Sequence, residues 1–563
     1  MKRVSRRDFL RIGGAGLAGL TLSGLNIPIF APKRAFACVS DTAWKFGVMA
    51  DTQWKTGAGV VDPASCATTI IDVLNDQFIQ HGCKFVIQVG DLVDKESVSD
   101  IRSLPTRADH ATALYNAGIG FFPVRGNHES SALAAAEIPE LFPQTLGQGS
   151  NFFGATNFES PILNTATSPY SSPESLKGLT YMFDYKNVRC VLIDQFVRAD
   201  GSNYDGTGSY NNNAVDQVPW VDSVLSSNSL NRHAFVFAHK NLIGQNHKDV
   251  LFGSDLTANA TARDEFLCSL CNNGVRYYLS GHDHMHHCSI VRSGDLASSV
   301  GQIICASNSY KFYTPRDGDD GRETPLDQEL YTIGYYIFTV DGPRVTVDFY
   351  SSSHGRDYGD FDLIAPPDGF YFYLRDTFGY SLNGNEFEVG RGESYTKVKD
   401  TCGGTTARIL SGINENSETD LLGRPLSKII NTGWSDARTV RRSASKVLSL
   451  WGLADNLSLY DGNLTGLLPD SNESKKTDTY TLSMTYNRWK VHPSQIMRGN
   501  FCLATKNGSK WVNAVDMNTG GNKTFRHGPW RSRYGLGTWG VDPCSRTVWA
   551  VINHDGEFVA KLL

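Results

Sequence analysis

Lys84-Phe85-Val86-Ile87-Gln88-Val89-Gly90-Asp91-Leu92-Val93-Asp94 is an apolar run that ends on a glycine and two carboxylates. It carries no 3.6-residue stripe, so it reads as a strand covered on both faces. The acids then fall on the loop at its carboxyl end. The same arrangement recurs along the chain. Segment 45–50 is followed by Asp51-Thr52-Gln53, and 119–125 by Gly126-Asn127-His128-Glu129. Segment 233–238 is followed by His239-Lys240, and 275–279 by Gly281-His282-Asp283-His284. Between these runs, residues 63–81, 107–117, 219–226 and 264–272 have apolar positions at helical spacing. Further strands are expected at 181–185 and 188–194, with a late group at 300–306, 335–340 and 345–350. Strand and helix in alternation predict an α/β domain with mostly buried sheets.

Polar residues at the carboxyl ends of successive strands converge on one crevice in such sheets. The set here is carboxylate, imidazole and carboxamide, with no thiolate nearby. That suits Zn, Mn or Fe better than Mg or Ca. Each element alone is a weak signal, because a histidine after a strand is usually just a satisfied polar residue. Their joint order is a strong one.

Asp51-x-Gln53, Gly90-Asp91-x-x-Asp94, Gly126-Asn127-His128-Glu129, His239 and Gly281-His282-x-His284 together resemble the calcineurin-like metallophosphoesterases over residues 44–350. The resemblance implies a four-layer α/β/β/α sandwich holding two divalent metal ions. One ion would be held by Asp51, Gln53, Asp91 and His284, the other by Asp91, Asn127, His239 and His282. Asp91 would bridge them, and a shared metal-bound hydroxide would attack a phosphate mono- or diester. His128 is spare in this scheme and would serve the leaving-group oxygen as general acid or cationic stabiliser.

This chain departs from the family in two places. Gln53 stands where the family usually has His; it either ligates through its carbonyl oxygen or leaves that position to water. Asp94 stands where purple acid phosphatases place a tyrosine ligand, so a purple iron centre is not expected. Asp94 is read either as an acceptor that orients a histidine or as a helix cap. His286 and His287 are expected in a loop or in a supporting role, and Lys240 is expected to be solvated. Glu129 is expected to cap a helix or hold Arg125. Selectivity for the rest of the substrate is expected from 145–178 and 196–217, stretches rich in Gly, Ser and Asn. A non-catalytic binding protein on the same scaffold is the alternative. It should have lost a ligand or His128, and only Gln53 departs.

Residues 1–37 read as an address. Ser5-Arg6-Arg7-Asp8-Phe9-Leu10 resembles a twin-arginine export signal; an apolar run and Ala35-Phe36-Ala37 follow. The twin-arginine translocase is therefore an expected partner, and the periplasm or the exterior the expected location. No later apolar run is long enough to span a bilayer. The whole chain of 563 residues has a formal charge of −5. Without residues 1–37 there remain 46 Lys and Arg against 57 Asp and Glu, a net −11. So acidic a body is a poor duplex-DNA binder and leaves small phosphate esters as the expected substrates. Eleven cysteines are an odd number, so at least one is unpaired unless it bridges to another chain. Cys268-x-x-Cys271 lies inside an expected helix, a poor place for a redox pair.

Pro366-Pro367-Asp368-Gly369 marks a linker. The expected domains are therefore 1–37, 38–365 and 366–563. The last is read as a β-rich accessory domain, with short strands at 370–374, 387–389, 480–484, 511–515 and 547–552. A helix or two is expected within 405–452.

Overall fold

The computed structural model describes residues 43–54, 65–94, 103–161, 176–196, 212–254, 257–316, 321–353, 372–390, 397–399, 405–411, 419–452 and 478–563. The expected signal segment and the linker at 366–369 lie outside them.

Two sheets pack face to face. The strands of the first domain are β1 (Trp44–Met49), β2 (Cys83–Val89), β3 (Gly120–Val124), β4 (Thr156–Glu159), β5 (Tyr181–Tyr185), β6 (Val188–Ile193) and β7 (His233–Ala238). They continue with β8 (Tyr277–Ser280), β9 (His286–Arg292), β10 (Ser299–Ile304), β11 (Glu323–Glu329), β12 (Thr332–Asp341), β13 (Arg344–Ser353) and β14 (Tyr373–Ser381). The first sheet has the order β14-β13-β12-β1-β2-β3 and the second β11-β9-β10-β8-β7-β6-β5-β4. β1, β2 and β3 run parallel, as do β6, β7 and β8. Their carboxyl ends are the loops that carry the polar motifs.

Aromatic side chains fill the space between the sheets. Phe46 meets Phe235 at 5.4 Å between ring centres, and Phe122 meets Phe183 at 4.2 Å. Helices cover the outer faces. α1 (Thr68–His81) and α2 (Leu104–Asn116) lie on the first sheet, burying Ile70, Leu74, Phe78 and Leu114. A short α3 (Ala132–Leu141) follows the loop after β3. α4 (Val218–Ser226) and α5 (Ala260–Asn272) lie on the second sheet, burying Val221, Leu225, Phe266 and Leu270. The spacing of those residues is the i, i+3/i+4 stripe read from the sequence. α1 sits close because Gly47 of β1 has no side chain; a Cβ there would lie 2.3 Å from the Phe78 ring. The result is the expected four-layer α/β/β/α sandwich.

Three local readings change. His286 and His287 are not loop residues; both are buried in β9. His286 bonds the Tyr336 hydroxyl at 2.7 Å and stacks on Phe349, while His287 faces Glu323 at 3.1 Å. Residues 145–178 contain β4, paired with β5, so the stretch is not loop throughout. Within 405–452 the described residues form strands, Thr406–Ser411, Ser427–Ser435 and Val447–Trp451, and no helix. Leu448 and Leu450 enter the core two residues apart, which is the strand period.

Among the described residues the second domain is a β-sandwich of two six-stranded sheets around Ile430, Leu482, Phe501, Val548 and Phe558. β14 pairs with β13 at the edge of the first sheet, so that sheet runs on to Ser381. Cys83, Cys190, Cys268, Cys271, Cys288, Cys305, Cys502 and Cys544 are free thiols; Cys268 and Cys271 are exposed on α5. Among the described residues no helix is long and apolar enough to cross a membrane.

Candidate metal centre

Asp51 follows β1 in a left-handed conformation (φ 47°), and Asp91 follows β2 in another (φ 46°). His282 and His284, after β8, also have positive φ, 72° and 50°. Side-chain-bearing residues avoid this region, and its repeated use marks loops held against their preference by what they surround. The neighbouring glycines make the room. A Cβ on Gly90 would lie 2.3 Å from His239 Nδ1, and one on Gly281 would lie 2.5 Å from Asp51 Oδ2. The glycine of each motif is thus a clearance for the ligand-type side chain of another.

All seven expected ligand residues lie in one connected cluster. The His282 backbone N–H donates to Asp51 Oδ1 at 3.0 Å, and His284 Nε2 lies 3.6 Å from the same oxygen. Gln53 Nε2 donates to Asp91 Oδ2 at 2.9 Å and to His284 Nε2 at 3.0 Å. The other Asp91 oxygen, Oδ1, lies 3.2 Å from His239 Nε2. Asn127 Oδ1 is 2.9 Å from that same nitrogen, and the rings of His239 and His282 are 5.0 Å apart. Asp91 therefore presents one oxygen to the Gln53–His284 side and the other to the Asn127–His239 side.

The histidines are oriented from behind. His239 Nδ1 donates to the Val89 carbonyl at 3.0 Å, and His284 Nδ1 to the Lys311 carbonyl at 2.9 Å. Each ring therefore turns its Nε2 toward the centre. His282 Nε2 lies 3.5 Å from Asp249 Oδ2. Glu129 ties two motif loops together, accepting from the backbone N–H of Val93 and of Gly126, each at 2.9 Å. Arg125 pairs with Asp194 at 2.7 Å.

Electrostatics mark the cluster as a cation site. Burial and the neighbouring Asp91 charge push Asp51 well above the usual carboxylate range. Burial alone would raise Asp91 too, but His239 and His128 hold it well below that range. His239 is itself raised to about 9: burial opposes its charge, and Asp91 and Asp51 overcome it. Burial beside Asp91 lifts Glu129 to about 8. A buried imidazole is thus made cationic by two carboxylates, the balance that a bound cation would otherwise supply. Asp51, Asp91 and His239 offer ligand atoms that all lie within 4.8 Å of one another. Asp51 Oδ2 and Gln53 Oε1 are buried with no hydrogen-bond partner among the described residues. Unpartnered buried acceptors in a dense polar cluster are what a metal would satisfy, so the residues fit the expected ions.

His128 stands beside the cluster. Its Nδ1 donates to the Asp94 carbonyl at 2.8 Å, and its Nε2 is 3.8 Å from Asp91 Oδ2. The orienting atom is the Asp94 backbone carbonyl; the Asp94 carboxylate lies 3.3 Å from the same nitrogen and accepts from the Tyr310 hydroxyl at 3.2 Å. Lys240 is not solvated. It is buried, paired with Asp249 at 2.5 Å and set over the Phe196 ring.

Another histidine at the centre, His247, has no motif to mark it in the sequence. It packs its ring 4.2 Å from that of His282 and 4.9 Å from that of Tyr313. Asp283, between the two motif histidines, accepts from both the backbone N–H and Nδ1 of His247, at 2.9 and 2.8 Å. The available signal was the acid inside Gly281-His282-Asp283-His284, whose partner had to come from another loop.

Residues 44–286 match the family model for calcineurin-like phosphoesterases. No curated protein matches the chain. Among solved structures the chain is similar to PhoD, with 12% identity, a TM-score of 0.38, and 62% of this chain and 71% of that chain covered. It is similar to purple acid phosphatase PPD1 from yellow lupin (Lupinus luteus) seeds, with 13% identity, a TM-score of 0.37, and 62% and 55% covered, so that it spans little more than half of that protein. A dimetal phosphatase from Danio rerio is similar at 15% identity and a TM-score of 0.32, with 54% and 95% covered.

Proposed function

From a calcineurin-like phosphoesterase domain over residues 44–286, we propose that the protein is an exported two-metal phosphoesterase acting on phosphate mono- or diesters. One observation carries the reading. Seven side chains from loops of both sheets form one cluster, with Asp91 turned toward both halves and two buried acceptors left without a partner. Asp51, Gln53, Asp91 and His284 would hold one ion; Asp91, Asn127, His239 and His282 would hold the other. Of the two choices for Gln53, ligation through Oε1 is supported by the lack of any partner on that atom. Mn, Zn or Fe fits the nitrogen-rich donor set. When bound, two such ions neutralise the ester oxygens and acidify a water molecule.

The chain's own residues supply the rest. With Nδ1 fixed on Asp94, His128 has Nε2 available to place a proton on the leaving oxygen. His247, fixed on Asp283 from the opposite loop, has its Nε2 available to a phosphate oxygen. Export through the twin-arginine translocase, to the periplasm or beyond, belongs to the same proposal, because it would deliver a folded domain with its metals in place.

The test is turnover of p-nitrophenyl phosphate and its bis ester by protein loaded with Mn, Zn or Fe. Hydrolysis of either is expected. His128→Ala should lower kcat about 100-fold or more at unchanged metal content, in the range of general acid catalysis. No turnover of either ester or of nucleotides with any of the three metals would sink the enzyme reading.

A further inference from the structure

The second domain reaches into the support of the metal centre. Its turn at 420–425 lies against β11, where the Leu421 backbone N–H donates to Gln328 Oε1 at 3.1 Å. From that turn Arg424 spreads its guanidinium over three acceptors. Nε donates to Asp420 at 2.6 Å, which fixes the side chain to its own turn. Nη1 donates to Glu323 Oε2 at 2.6 Å and Nη2 to Gln245 Oε1 at 2.7 Å, both in the first domain. Gln245 closes the triangle by donating Nε2 to both oxygens of Glu323, at 3.0 and 2.9 Å. Gln245 and Glu323 are both buried.

Gln245 belongs to the loop after β7, and its backbone N–H donates to Asp283 Oδ2 at 2.5 Å. The same oxygen accepts from Asn241 Nδ2 at 2.7 Å, while Oδ1 holds His247. This loop presents His247 and Asp249 to His282, yet it has no strand ladder to hold it. Side chains hold part of its backbone, as Gln302 holds the N–H groups of Leu242 and Ile243, and other loops hold part, as the Arg316 N–H holds the Gln245 carbonyl at 2.8 Å. It is also tightly folded, since a Cβ on Gly244 would lie 2.3 Å from the His247 carbonyl oxygen.

We infer that Arg424 is a positioning residue of the metal centre: through Gln245 and Glu323 the second domain sets the loop at 241–249, and so the seat of His282 and His247. What it positions them for rests on the phosphoesterase reading. Three acceptors, each on a different guanidinium nitrogen, demand a fork, so lysine cannot replace it. Other cross-domain contacts among the described residues lack this reach. Arg344 bonds Glu557 and Ser449, and Arg292 bonds Glu388, none of them in that loop.

The test uses the full chain as Arg424→Ala, Arg424→Lys and, as a control for domain docking alone, Arg344→Ala. Hydrogen exchange is followed on peptides covering 241–250, Mn affinity by titration, and kcat and KM on p-nitrophenyl phosphate. Both Arg424 variants should exchange about tenfold faster in that loop and bind Mn about tenfold more weakly, the usual cost of removing ligand support. Arg344→Ala should leave both within about twofold, as expected for a site that shares no partner, even at an equal loss of Tm. Equal behaviour of all three variants overturns the inference. So does an unchanged loop, or a faster loop with unchanged Mn affinity. If the wild type turns nothing over while loop and metal still follow Arg424, the phosphoesterase reading fails and the positioning stands. Should Arg424→Ala not fold, Gln245→Leu cuts the same link from the first domain and is read in its place.

Discussion

Gly126 is small for the sake of another residue. Its φ of −96° is open to any side chain, but a Cβ would lie 2.1 Å from Asp91 Oδ1 and 2.2 Å from the Asp91 nitrogen. Neither atom can yield without moving the carboxylate that faces both halves of the centre. Gly126→Ala is therefore expected to cost about 1–3 kcal/mol by overpacking and to strip the protein of metal, read by thermal unfolding and elemental analysis. Gly82 makes the opposite demand. It ends α1 at φ 70°, and a Cβ there would meet nothing within 4 Å, so only backbone strain opposes alanine. Gly82→Ala should cost about 1–2 kcal/mol and leave metal content unchanged. Gln53 lies between these cases. Its amide joins Asp91 to His284, so Gln53→Ala should keep the fold but weaken Mn binding about tenfold, by removing one proposed ligand and the amide that holds Asp91 and His284.

At the level of elements, β7 links the core to pH. His233 opens the strand, buried, bonded through Nδ1 to the Tyr380 hydroxyl at 2.9 Å and through Nε2 to the Gly342 carbonyl at 2.8 Å. Burial lowers it to about 4, against an ordinary value of 6.5. Protons then bind the unfolded chain first. Its contribution is whole above pH 6.5, declines between 6.5 and about 4, and amounts to about 3 kcal/mol over that window. Urea unfolding at pH 7.5 and 5 should show wild type losing more stability than His233→Gln; equal losses would refute the assignment. The five motif loops were legible because each follows a strand with a plain apolar pattern. β9 and β11 were not, because their polar residues are satisfied by each other. His287 meets Glu323, and His286 meets Tyr336, partners far apart in the chain. Hydrophobic period cannot register a strand buried by paired polar groups. The same blindness hid His247, whose meaning lies in Asp283 from another loop.

Across the whole molecule, charge and connectivity divide at different places. Residues 38–365 carry 22 Lys and Arg against 38 Asp and Glu, while 366–563 carry 24 against 19. The acidity read from the sequence thus belongs to the first domain, where the metal-type carboxylates lie. Packing follows another boundary. β14, at Tyr373–Ser381, pairs with β13 from Arg344 to Ser351. Tyr380 of that strand is fully buried and its ring packs on those of Phe235, Tyr277 and His233. A fragment cut at 365, the domain end expected from the linker signal at 366–369, would remove this strand and open β13 as an exposed edge, with an aromatic-sized hole between the sheets. Losing the Tyr380 contacts alone should cost about 3–5 kcal/mol, a large part of a domain's stability. Fragment 43–365 should therefore aggregate on expression. Fragment 43–383 keeps the strand and should stay soluble and fold. It still lacks Arg424, so its Mn affinity should match that of full-length Arg424→Ala and fall below that of the wild type. Sedimentation separates the two fragments, and Mn titration of the longer one tests the support from the second domain without any substitution in the site. A fragment 43–365 as soluble and as stable as 43–383 would show that β14 is an accessory to the first sheet and not part of it.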